Sequence, residues 1–317
     1  MFVLLKTAKD EHPGLKIGSV LLKFFLRYVL LLLLFRYLIL YGAIALNYQG
    51  GLLAFFKLLG TDFVTAFSVM QNLMADAWVG LLFQLAAGLM IPIVILYLRK
   101  AEKRSYDTIG YPKKDLVPNY LAGYVSGACF ICVQVAICVV FKALVFNPGH
   151  KPNWLMIPLF FIAFMAQGMS EETGFRGWLF VSLAKRLSIK TAILLSAVLF
   201  SLFHIVSGNF SLLAFLNIFL WGIFACLLFM LSENLWLIGG LHAAWNFFES
   251  SVFGISVSGA AVTDSSIFSL TPSATGTLLN GGSYGIEAGL PLTLLLLFAI
   301  AFLLSLKPLR QKLNIDA

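Results

Sequence analysis

Charge is what this chain has least of. Of its 317 residues only 11% are Asp, Glu, Lys or Arg, against about a quarter in soluble domains. A water-soluble globule is excluded, and with it a disordered chain, a coiled coil and a collagen. Short alternating strands are lacking too, which excludes a β-barrel. Cysteine is scarce: Cys129, Cys132, Cys138 and Cys226 all lie within apolar segments, where the thiol packs as a small hydrophobe. The Cys129-x-x-Cys132 spacing has no βαβ setting around it, so neither a redox site nor a disulfide framework is implied. Between Met1 and Leu22 no compact apolar stretch leads to a small-residue cleavage site, and the first apolar run reads as a retained helix. Internal repeats with matching broken helices, the mark of many transporters, are absent.

What remains is apolar residue, 60% of the chain, with a mean hydropathy of +0.94. Apolar stretches run near 20–46, 77–98, 119–146, 154–184, 189–207, 210–231, 235–256 and 288–306. Runs of about 18 residues or more are long enough to cross a bilayer. The expected fold is an all-α, polytopic transmembrane helical bundle of about eight spans. Segment 49–76 is also apolar, but Gly60, Asp62 and Asp76 interrupt it, and it reads as an interfacial loop or a re-entrant piece.

The net charge of +8 is an orientation signal and not a nucleic-acid footprint. Lys6, Lys9, Lys16, Lys23 and Arg27 precede or enter the first span. Arg99, Lys100, Lys103, Arg104, Lys113 and Lys114 follow the second, Lys185, Arg186 and Lys190 separate the fourth and fifth, and Lys307, Arg310 and Lys312 follow the eighth. With eight spans all these clusters fall on one side, so both termini are expected to be cytoplasmic. The basic loop 99–118 divides an amino-terminal two-span region, 1–118, from a six-span region, 119–317.

Ionisable groups inside a span are expensive and point to function. Span four carries Glu171, Glu172 and Arg176, span five ends in His204, and span seven carries His242 and Asn246 four residues apart on one helix face. Glu249 follows on a neighbouring line. Glu172 and Arg176, at i and i+4, form a helix-stabilising ion pair, which leaves Glu171 without a charged partner in its own helix. Measured from the basic hairpin near Leu187, Glu171 and His204 lie 16 and 17 residues away, hence at nearly equal depth, roughly 25 Å. His242 and Asn246 come out somewhat shallower if the helices are straight, an imperfect fit that helix tilt could close.

Three patterns now stand in order: E-E-x-x-x-R at Glu171, Glu172 and Arg176, F-x-x-x-H at Phe200 and His204, and H-x-x-x-N at His242 and Asn246. Together they resemble the CPBP family of intramembrane proteases, which includes the CAAX prenyl proteases and the bacterial Abi relatives linked to bacteriocin processing and self-immunity. The resemblance covers about residues 154–254. It implies an intramembrane endopeptidase of a bacterial cell membrane, acting on a peptide or protein that is membrane-embedded or prenylated. Glu171 and His204 would activate a water, His242 and Asn246 would stabilise the oxyanion, and Glu172 and Arg176 would support them. In a metallo-type reading Glu171, His204 and His242 would instead hold a Zn²⁺, although the H-E-x-x-H pattern is missing. No other cofactor is implied. A non-catalytic peptide-binding immunity protein, and more remotely a transporter, are the rival functions.

Overall fold

A computed structural model describes residues 16–206, 210–260, 263 and 265–315. Within them the chain is almost wholly helical. Helix α1 is Ile17–Asn47, with a π-helical turn at Phe25–Val29. Then come α2 (Gly51–Thr61), α3 (Phe63–Ala75), α4 (Ala77–Lys100), the short α5 (Tyr106–Ile109) and α6 (Leu116–Val140). Helix α7 starts as Met156–Glu172 and continues through π turns at Thr173–Phe180 into Val181–Ala184. Helices α8 (Ile189–Phe203), α9 (Leu212–Ser232) and α10 (Leu235–Phe247, extended by a π turn at Phe248–Val252) follow. The last are α11 (Thr277–Asn280), α12 (Leu290–Ser305) and α13 (Lys307–Leu313). Strands β1 (Leu144–Phe146) and β2 (Leu270–Pro272) form a two-stranded antiparallel ribbon, Val145 opposite Thr271.

The polar residues that punctuate the apolar sequence are mostly caps. Asp62 accepts the Thr65 amide at 3.1 Å, Asp76 those of Trp78 and Val79 at 3.0 Å, and Asn234 that of Trp236 at 2.9 Å. Each satisfies amide donors that the first turn of its helix leaves open. Segment 49–76, expected to be a loop or re-entrant piece, is therefore two helices, α2 and α3, folded back on α1 around Leu40, Ile44, Phe55 and Ala66.

By length and composition, four described helices can cross a membrane: α1, α4, α6 and α9, or five if α12 and α13, bent by 84° to each other, make one span. Eight spans are thus not established. Helix α8, at 15 residues, reaches only about 22 Å, short of a hydrocarbon core of about 30 Å. Helix α7 carries three charges. Lys6, Lys9, His12 and both chain termini lie outside the described residues, so the orientation expected from them is a separate matter.

Close helix contacts fix the interior. A Cβ on Gly123 or Gly127 of α6 would come within 1.8 and 2.2 Å of the Leu237 and Leu241 carbonyl oxygens of α10. The two backbones touch, as small residues permit in membrane bundles. Opposite them, α7 meets α10 at Gly168, where a Cβ would lie 2.7 Å from the Ala243 nitrogen. Helix α10 is thereby clamped between α6 and α7. The amino-terminal region joins this core from outside, Tyr28 of α1 donating a hydrogen bond to the Ser170 carbonyl at 3.1 Å and Arg104, between α4 and α5, to that of Gly177 at 2.9 Å.

Candidate active site

Gly168 lies one helical turn before Glu171, so the approach it permits to Ala243 and His242 of α10 carries both glutamates of α7 against the His242 side chain. Glu171, Glu172, Arg176, His242 and Asn246 are all buried. Such groups must find partners, and their partners define the site.

Glu172 is the anchor. Its Oε1 accepts from Arg176 at 3.0 Å, the ion pair expected from the i, i+4 spacing, and also from His242 Nδ1 at 2.7 Å. Arg176 in turn lies over the Phe200 ring, 4.4 Å from its centroid, a cation–π contact. The Phe200 carbonyl meets His204 Nδ1 at 2.8 Å. A carbonyl only accepts, so His204 carries its proton on Nδ1, and the Glu172 carboxyl oxygen, which already accepts from Arg176, favours the same tautomer on His242. Both rings therefore turn a bare Nε2 inward.

Those nitrogens converge on one oxygen. His204 Nε2 lies 4.0 Å and His242 Nε2 3.9 Å from Glu171 Oε2, which has no hydrogen-bond partner among the described residues. The other oxygen, Oε1, accepts from Gln167 Nε2 at 2.7 Å, and Gln167 Oε1 accepts from Asn246 Nδ2 at 2.8 Å. Asn246 thus reaches Glu171 through Gln167. The sequence pattern brought together Glu171, Glu172, Arg176, His204, His242 and Asn246, and the fold gathers all six. It did not single out Gln167, although an amide one turn before Glu171 in an apolar helix was the available signal. Glu249 is buried elsewhere, outside the cavity at this site.

Three acceptor atoms facing a common point call for a donor or a cation. One water within hydrogen-bond range of about 2.8 Å spans such separations readily. Two imidazoles with locked Nδ1 and a carboxylate also suit zinc chemically. Tetrahedral zinc with bonds of 2.0–2.2 Å, however, holds its ligands about 3.4 Å apart, closer than the distances here. Among the described residues no group of three His, Cys, Asp or Glu is gathered for a metal. The spacing suits a water and does not close on an ion.

This point opens into a cavity of about 170 Å³. One wall is Glu171, His204, His242 and Asn246. The facing wall comes from helices distant in sequence, with Arg36 of α1, Phe67, Met70 and Met74 of α3, and Phe83 of α4.

Residues 152–248 match the family described as Rce1-like, type II CAAX prenyl endopeptidase Rce1-like. The matched segment holds all six polar residues of the motifs and none of the facing wall from α1, α3 and α4. No curated protein and no solved structure matches the chain. The matched family is one of proteases, which together with the apolar helices supports a hydrolase acting on peptide or protein in a membrane setting.

Proposed function

The match at 152–248 supports the CAAX protease family for this chain, and from that premise we propose that the protein is an intramembrane endopeptidase whose nucleophile is a water activated by Glu171. The observation that carries the reading is the convergence of His204 and His242 Nε2 on the unpartnered oxygen of Glu171. A water at that point gives a proton to Glu171 while its oxygen attacks the scissile carbonyl carbon. His204 Nε2 accepts from the water and fixes its direction. On substrate binding His242 takes a proton from solvent at its bare Nε2, favoured by the Glu172 carboxylate at its Nδ1–H, and the N–H so formed donates to the carbonyl oxygen as that oxygen becomes anionic. Asn246, whose amide nitrogen has a second hydrogen beyond the one given to Gln167, is the other oxyanion donor. Collapse of the tetrahedral intermediate breaks the C–N bond, and Glu171 passes its proton to the leaving amine.

Glu172 and Arg176 are positioning residues in this scheme, since they act through the His242 and Phe200 rings. The substrate is a peptide segment delivered from the bilayer, with a prenylated tail among the candidates. We further propose eight crossings with cytoplasmic termini in a bacterial cell membrane, a reading supported by the basic loops that alternate along the chain. A reporter fused after Ala317 and accessible only from outside would sink that topology. The chemical test is purified protein in proteoliposomes with a peptide library read by mass spectrometry. Cleavage is expected, and it should vanish with Glu171→Gln. Peptide binding without cleavage would instead identify a non-catalytic immunity protein.

A further inference from the structure

Two carboxylates line the cavity, Glu171 and Glu287, and they are compensated differently. Glu171 has His204 and His242 at 4.0 and 3.9 Å, and it interacts electrostatically with Arg36 of α1, which lines the same cavity. Glu287 lies between α11 and α12, after the matched segment, and its side chain is fixed by neutral donors only. Trp245 Nε1 reaches its Oε1 at 3.1 Å, and the Ser258 amide and hydroxyl each reach its Oε2 at 2.6 Å. Its backbone carbonyl accepts from Asn217 Nδ2 of α9 at 2.8 Å. Among the described residues no Lys, Arg or His is within ion-pair distance of Glu287, and Glu249, which interacts with it electrostatically, has the same sign. An anion so placed, away from bulk water, calls for a cation.

Two indoles stand with it. Trp221 and Trp245 line the cavity, their ring centroids 5.0 Å apart and their planes inclined at 52°. Trp245 spends its N–H edge on Glu287, and an indole face is the aromatic surface that attracts a cation most strongly. The corner also adjoins both proposed oxyanion donors: Trp245 precedes Asn246 in α10, and Trp221 packs on His242 with centroids 5.5 Å apart. We infer that Glu287, Trp221 and Trp245 form a specificity subsite for a basic side chain, lysine or arginine, on a peptide residue flanking the scissile bond. The inference rests on the peptidase reading of the site. A carboxylate offers about four acceptor positions, of which three are filled, so one on Oε1 is open to an ammonium or guanidinium. The methylene stem of the basic residue lies along the indoles. Because Glu287 is already held in place, little ordering is needed to bind it. Among equally apolar peptides, those with Lys or Arg beside the bond to be cut are selected.

The test compares acetyl-Leu-Lys-Leu-amide with its norleucine counterpart, which keeps the stem and lacks the ammonium, binding to the full-length protein in detergent. Change in tryptophan fluorescence reports occupancy of the corner without turnover. The lysine peptide is expected to bind about 10- to 100-fold more tightly, as a charge-assisted hydrogen bond gives. Glu287→Gln, which keeps the size and removes the charge, should bring the two peptides within about threefold of each other, while Glu287→Asp retains part of the preference. A merely structural role would weaken both peptides alike and leave their ratio unmoved. Equal binding by the unaltered protein, binding of neither peptide, or a preference undiminished in Glu287→Gln would overturn the assignment. Should Glu287→Gln fail to fold, Trp221→Leu decides it: the lysine preference should drop by about threefold or more through the lost cation–π contact, and an unmoved ratio would overturn the subsite. Binding of tetramethylammonium with no difference between the peptides would point to a lipid headgroup and also overturn it. Lysine preference without cleavage of any library peptide would uphold the subsite and remove the peptidase reading. Cleavage with equal binding and no Lys or Arg enriched at the cut sites would do the reverse.

Discussion

The two walls of the cavity are built on opposite principles. On the α7–α10 side the polar side chains are tied to one another: Arg176 and His242 to Glu172, Asn246 to Gln167, Gln167 to Glu171. On the α1–α3–α4 side the lining is mostly apolar, with Arg36, Tyr37, Gln71 and Gln84 its polar members. One wall holds reacting groups to a fixed geometry, and the other presents shape and a single charge. The matched family segment, 152–248, coincides with the first wall and stops short of the second. Under the proposed function, chemistry and selection belong to different parts of the chain and can be altered separately.

The comparison is broken most severely at Glu171. Glu171→Gln is isosteric and keeps the Gln167 neighbourhood, but it removes the base. Turnover should fall by about three orders of magnitude or more, with the melting temperature held, as read by peptide cleavage and thermal unfolding side by side. His242→Ala should follow, at roughly 10²- to 10³-fold, the scale of a lost oxyanion donor. Glu172→Gln should cost both activity and stability, because it leaves the buried Arg176 without its counter-charge, a loss of about 3–5 kcal/mol. If Glu172→Gln were as active as the unaltered protein, the positioning role would fall.

A clamp residue comes next. Gly168→Leu places side-chain atoms where Ala243 already stands, and overpacking of this kind costs about 1–3 kcal/mol or more. Thermal unfolding should show the loss, and activity should drop with it as α7 is pushed from α10. The smallest effect is expected from the apolar wall: Met70→Ala and Met74→Ala should raise KM a few-fold and leave kcat within about twofold, since they remove binding surface only. A chelator should change nothing. Loss of activity on chelation, restored by zinc, would show that the three acceptors close on an ion after all.

The sequence made the reacting wall legible and the facing wall nearly invisible. Glu171 and His204 could be placed at one depth by counting residues from the hairpin near Leu187, because rise per residue is fixed in a helix. The 4.0 Å separation reflects that arithmetic. His242 was harder, since its depth depends on tilt, and it is the close approach at Gly168 that settles the contact. That Glu172 would also hold His242 was not readable, because the bond joins residues 70 apart in sequence. Asp62 and Asp76 looked like interruptions of an apolar run when they are the caps that start two helices. Arg36 passed unremarked among so many leucines, where hydropathy averaged over a span conceals a single charge. Span number suffered from the same averaging: α8 is apolar but short, and α7 is long but charged.

The backbone contact of α6 with α10 has a mechanical consequence. Helices that touch main chain to main chain at Gly123 and Gly127 have no layer of side chains on which to slide, and α7 locks α10 from the other flank. The reacting wall of the proposed function is thus the more tightly packed side of the cavity. A movement that admits a peptide is expected of α1, α2 and α3, which are joined by tight corners at Gly50 and Asp62 and packed around a small cluster of their own. Cross-linking engineered cysteines between α3 and α10 should halt turnover and recover it on reduction. The same link between α6 and α10 should leave turnover intact; if it too halted the enzyme, the tightly packed wall would have to be one that moves.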